Sequence, residues 1–164
     1  MIVDTHAHLD FPDYKSDLET VLSRAREANV GYIINVGTNL AASEKSVNLA
    51  SRYSNIYASV GIHPHDAAKV SEQTWLALEA LAASPKVVAI GETGLDYYRN
   101  KSPHEDQQRV FGKHVSLAKS RNLPVIIHCR EASSDCLKIL NTYKNGALKG
   151  VVHCFSGTEE VAAA

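Results

Sequence analysis

Near its N-terminus the chain carries His6-Ala7-His8, two imidazoles one residue apart at the end of a short apolar run. Alternate side chains of a strand share a face, so His6 and His8 project together, a spacing suited to holding one ion from two directions. Metal-binding side chains recur at the ends of later runs. His63 and His65 flank Pro64, Glu92 follows Gly91, His128 follows Ile127, and His153 follows Val152. Unrelated core histidines have no reason to repeat at the same end of different strands. His6, His8, Glu92, His128 and His153 are therefore read as a metal site. His63, aimed by the rigid Pro64, is assigned to substrate or to support beside the metal, and His65 is left unassigned. His104 and His114 fall in a helical stretch from Pro103 to Arg121 and are read as ordinary structural residues.

The elements that must position these groups are legible as an alternation of two periods. Short β-branched runs, namely Ile2-Val3, Tyr32 to Val36, Ile56 to Val60, Val87 to Ile90, Val125 to Ile127 and Val151-Val152, are each too short for a helix. Between them lie helically spaced apolar residues, such as Leu18, Val21, Leu22 and Ala25, or Cys136, Leu140 and Tyr143. The runs start about 25 to 38 residues apart, room for a strand, a helix and a return, which parallel strands require. The expected fold is α/β: a TIM-like (β/α) barrel in which all strand ends open on the face that carries active sites. No linker or low-complexity tract divides the chain, so residues 1–164 are read as a single domain. Thr158, followed by Glu159 and Glu160, has the form of a helix start. A full eight-stranded barrel takes about 250 residues, so six strands of eight are expected, with the sheet open where the last two belong.

Other features narrow the function. The formal net charge of −1 argues against a generic duplex binder, which needs clustered cations, so any nucleic-acid contact must be local. No run approaches the roughly 20 apolar residues of a membrane span, and the first residues lack the form of a secretion signal, so a cytoplasmic protein is expected. Cys129, Cys136 and Cys154 are odd in number and show no CxxC spacing, which suits reduced thiols. By strand alternation Cys129 and Cys154 should turn toward the helix layer, away from the histidines they follow. There is no GxSxG turn, no Walker A loop and no dinucleotide fingerprint. Arg130, two residues beyond His128, is read as a phosphate-holding cation. Asp96 and Tyr97 are placed at the mouth of the site as substrate residues.

The segments Val3-Asp4-Thr5-His6-Ala7-His8-Leu9-Asp10, Gly61-Ile62-His63-Pro64-His65, Gly91-Glu92-Thr93-Gly94-Leu95-Asp96-Tyr97-Tyr98, Pro124 to Arg130 and His153-Cys154-Phe155-Ser156-Gly157 resemble, in order, the signature motifs of the TatD family. The resemblance runs from residue 3 to about residue 158. It implies a metal-dependent deoxyribonuclease acting on DNA single strands or ends, with some relatives trimming 3′ ends. It also implies two divalent ions, one on His6 and His8 and one on His128 and His153, with Glu92 bridging them and acting in catalysis. The family pattern adds an aspartate ligand on the last strand, which lies beyond the residues of this chain. Imidazole-rich coordination suits zinc, manganese or nickel, whereas magnesium prefers oxygen. Two alternatives stay open: an amide or ester hydrolase of the amidohydrolase type, and a metal-binding fragment without activity.

Overall fold

A computed structural model describes residues 1–143 and 148–164. Six parallel strands form one sheet in chain order: β1 (Ile2–Ala7), β2 (Val30–Val36), β3 (Ile56–Val60), β4 (Val87–Asp96), β5 (Val125–Arg130) and β6 (Gly150–His153). The helices are α1 (Leu18–Glu27), α2 (Leu40–Arg52), α3 (Glu72–Leu81), α4 (His104–Arg121), α5 (Ser133–Thr142) and α6 (Glu159–Ala163). The sheet curls into an incomplete TIM-like barrel with β1 and β6 as its edges. Each β-branched run of the sequence lies within a strand. Thr158 caps α6 as expected, its side chain accepting from the Val161 N–H.

Burial on both faces explains why these strands read as continuous apolar runs. Ile56, Val60, Ile90, Leu95 and Val125 point outward and pack in one cluster with Leu22, Leu78, Phe111 and Val115 of the helices. Val36, Ala89 and Ile126 form a smaller cluster on the inner face. Above that inner plug, the alternation turns polar groups inward. Ala7, Leu95, Cys129 and Val152 belong to the outer packing. Their strand neighbours His6, Asp96, His128 and His153 consequently face the interior.

Two glycines of β4 bring it close to β5. Gly91 and Gly94 have φ of 136° and 139°, a region that side chains rarely adopt. A Cβ on Gly94 would stand 2.0 Å from the His128 carbonyl oxygen, and one on Gly91 2.4 Å from that of Ile126. Glu92 lies between these close approaches.

Candidate metal centre

Glu92, 4% exposed, is the centre of the strand-end cluster. Its Oε1 lies 3.1 Å from His128 Nδ1, and its Oε2 lies 3.4 Å from His6 Nε2. Burial pushes the carboxyl up, but hydrogen bonds from His128 and His6 and the nearby imidazoles outweigh it. The group is held well below the usual carboxylate range. It therefore offers one oxygen of an ionised carboxylate to each side.

Two donor sets share this glutamate: His6, Glu92 and His153, and His63, Glu92 and His128, with the ligand atoms in each set within 4.8 Å of one another. This differs from the expected pairing of His6 with His8 and of His128 with His153. The reason is closure of the barrel. β6 curls back toward β1, so the His153 ring stacks on His6 with centroids 3.5 Å apart, an approach that spacing along the chain does not disclose. His63 similarly comes to 4.4 Å from His128, ring to ring. His8 stands 5.0 Å from His6 and donates from Nδ1 to the Val36 carbonyl at 3.1 Å, the tautomer that puts the lone pair of a neutral ring on Nε2.

The remaining partners of the cluster come from β4, β5 and the β3 loop. Asp96 is almost wholly buried, and its Oδ2 receives both His65 Nε2 at 2.9 Å and His128 Nε2 at 3.0 Å. Its Oδ1 accepts from the Arg99 N–H, and its own N–H donates to Gln107. Although burial raises the Asp96 carboxyl, these hydrogen bonds lower it overall. For His128, burial lowers the imidazole pKa, but Glu92 and Asp96 together raise it above the ordinary value. His63 Nδ1 accepts the His65 N–H, so its proton belongs on Nε2 and neither nitrogen keeps a free lone pair for an ion, which sets His63 beside the His128 and Glu92 donors as a hydrogen-bond donor; burial pulls its pKa down to about 4.

Not every sequence-derived residue joins the site. Tyr97 turns outward: its hydroxyl bonds Asp135 and Gln108, and its ring stacks on His104. Alternation accounts for this, since Asp96 faces in and its neighbour must face out. Arg130 is exposed at the end of β5, its guanidinium 4.0 Å from the Tyr98 ring centroid, with no carboxylate in ion-pair range among the described residues. Cys129 and Cys136 pack against the core as expected. Cys154 does not; it is exposed and left-handed at φ 48°, because β6 ends at His153 and alternation stops there. His114 is structural as read, accepting from the Ile62 N–H and donating to the Val110 carbonyl.

Sequence reasoning left His65 unassigned and missed Asn35. The buried Asn35 amide accepts from the Leu9 N–H and donates to Asp10 and Ser46, tying the loop after His8 to β2. The available signal was a lone amide inside the apolar run Ile33-Ile34-Asn35-Val36.

The donor set fits divalent cations. Imidazoles and one shared carboxylate suit transition metals, and the ligand atoms of His6, Glu92 and His153 lie within 4.8 Å of one another, close enough to meet at one ion.

Comparison with known proteins agrees with the geometry. The profile described as TatD related DNase matches residues 3–164. A Bacillus subtilis (strain 168) protein named uncharacterized metal-dependent hydrolase YabD is 43% identical over 162 residues, covering 99% of this chain and 64% of that protein. The Escherichia coli (strain K12) protein named 3′-5′ ssDNA/RNA exonuclease TatD is 38% identical, covering 96% of this chain and 60% of that protein. The crystal structure of YJJV, a TATD homolog from Escherichia coli K12, superposes with a TM-score of 0.91 at 36% identity, covering 99% of this chain and 63% of that one. The chain thus spans less than two thirds of the length of these relatives.

Proposed function

Because this chain belongs to the TatD-related DNase family, we propose that residues 1–164 form one hydrolase domain whose strand-end cluster binds two divalent ions and cleaves phosphodiester bonds in DNA. The substrate is a single strand or a strand end, with 3′-5′ exonuclease action as the favoured mode, and the setting is the cytoplasm. The observation that carries this reading is the buried, ionised Glu92, with one oxygen toward His6 and the other toward His128.

Bound divalent ions supply a water of lowered pKa and offset charge on the phosphoryl group. The chain's own residues hold and orient. His8 parks its Nδ1 proton on the Val36 carbonyl and keeps Nε2 as a donor atom. Asp96 fixes the His128 and His65 rings from behind. Neutral His63 presents an Nε2 proton to a phosphoryl oxygen. Arg130, supported by Tyr98, offers a planar fork to a neighbouring phosphate, which favours a phosphodiester over an amide substrate.

Metal analysis and hydrolysis of an end-labelled single strand test this directly. Wild-type protein is expected to hold two equivalents of manganese or zinc and to release mononucleotides from the 3′ end. Arg130→Ala should raise KM for the strand by about tenfold, the loss of one charge-assisted contact. One bound equivalent or none, or hydrolysis of amides but not phosphodiesters, would overturn the reading.

A further inference from the structure

Two aromatic side chains at the rim have no structural duty that accounts for their exposure. Phe11 is 43% exposed and Tyr98 is 53% exposed. Most other exposed apolar side chains have an evident place: Ile2, Val3 and Val151 lie on the edge strands, Leu76 lies on α3, and Phe155 packs over Gly157. Phe11 and Tyr98 instead stand at the catalytic end of the barrel, just past β1 and β4.

Each ring rests against a side chain of the strand ends and keeps about half of its surface exposed. The Phe11 ring lies parallel to that of His8, with an interplanar angle of 10° and a centroid separation of 4.8 Å. Its backbone is held by an N–H donated to the His8 carbonyl and by the following Pro12. Tyr98 has the Arg130 guanidinium 4.0 Å and the Arg99 guanidinium 5.8 Å from its ring centroid. A cation for phosphate beside an exposed aromatic ring for a base is the pairing by which proteins hold single-stranded nucleic acid irrespective of sequence.

We propose that Phe11 and Tyr98 are stacking platforms for unpaired bases on either side of the phosphate that enters the metal centre, with Arg130 holding the phosphate next to the Tyr98 base. The inference rests on the phosphodiester reading and adds to it the residues that grip the bases. A base paired in a duplex keeps its faces within the helix stack, so the platforms select strands that are open or frayed. Sequence preference is weak, because every base has a π-face.

The test compares two fluorescein-labelled five-nucleotide strands, one carrying bases and one abasic, both phosphorothioate-linked to resist cleavage. Equilibrium binding is measured in excess manganese, with bound manganese quantified in parallel. The base-bearing strand is expected to bind wild-type protein at least about fivefold tighter than the abasic one. That ratio should fall toward one in Tyr98→Ala and Phe11→Ala and persist in Tyr98→Phe and Phe11→Tyr, with manganese stoichiometry unchanged throughout. Equal binding of the two strands by wild-type protein, or a ratio that survives both alanine substitutions, would overturn the platforms and leave the phosphodiester site standing. Failure of both strands to bind would overturn both.

Discussion

The two halves of the centre are built differently. Around β4 and β5, His128 is held at both ring nitrogens by Glu92 and Asp96, Asp96 is itself gripped from Arg99 and Gln107, and His65 closes the group. Around β1 and β6, His6 has a buried Nδ1 without a partner, and His153 meets it by ring stacking alone. The first half sits on adjacent paired strands, β4 and β5 being in register from Thr93 with Ile127 to Asp96 with Arg130. The second bridges the two sheet edges, where no ladder of hydrogen bonds sets the distance. Hydrogen bonds organise one half. The other has only the His6–Glu92 approach and the ring stack, so a bound ion would be expected to draw it together.

Glu92→Gln should erase the distinction, since the shared carboxylate serves both halves. Replacing its charge with an amide of the same size should reduce bound metal below one equivalent and cut hydrolysis by at least a hundredfold, with little change in Tm. Retention of two equivalents would remove Glu92 from the bridging position.

Selective variants sharpen the comparison. Asp96→Ala frees the His128 and His65 rings, so one of two metal-binding steps should weaken about 10- to 100-fold while the other holds. His153→Ala should do the converse. Isothermal titration with manganese reads both steps, and an equal loss at both steps in Asp96→Ala would show that the halves are not separable.

Strand positions and ligand-bearing ends were legible in the sequence because short β-branched runs and their polar termini are local features. Which histidine rings come together was not. The His6–His153 contact depends on how far the sheet curls, and no spacing within β1 or β6 encodes that. Tyr97 is a different case: the alternation that turned Cys129 outward also turns Tyr97 outward once Asp96 faces in, so its position was readable. Phe11 lies in a loop after β1, where no periodicity assigns a face.

The halves should also differ in acid. His128 has a raised pKa, so it takes up a proton at a higher pH than an ordinary imidazole, and that proton competes with a metal ion. His153, with its pKa lowered chiefly by burial, resists protonation. As pH falls from 8, metal affinity should be lost first at the step that Asp96→Ala weakens, and only later at the step that His153→Ala weakens. Simultaneous loss of both steps would contradict this ordering.

The smallest expected effect concerns the brace beneath the organised half. His114, wholly buried on α4, accepts the Ile62 N–H just before His63, about two turns along from the Gln107 that holds Asp96. Burial lowers its pKa to about 4, against 6.5 for a free imidazole. Between those values the unfolded chain binds a proton that the folded chain refuses, so stability falls as pH drops from about 6.5 toward 4 and levels below that. The contribution at pH 5 is about 2 kcal/mol, from about 1.4 kcal/mol per unit of pKa shift. His114→Gln keeps a donor and an acceptor but cannot titrate. It should lower stability at pH 7 by about 1–2 kcal/mol and flatten the decline between pH 6.5 and 5. Urea unfolding at pH 7, 6.5 and 5 measures both effects, and a decline in the variant as steep as in the wild type would show that the acid sensitivity arises elsewhere, with His63 the next residue to replace.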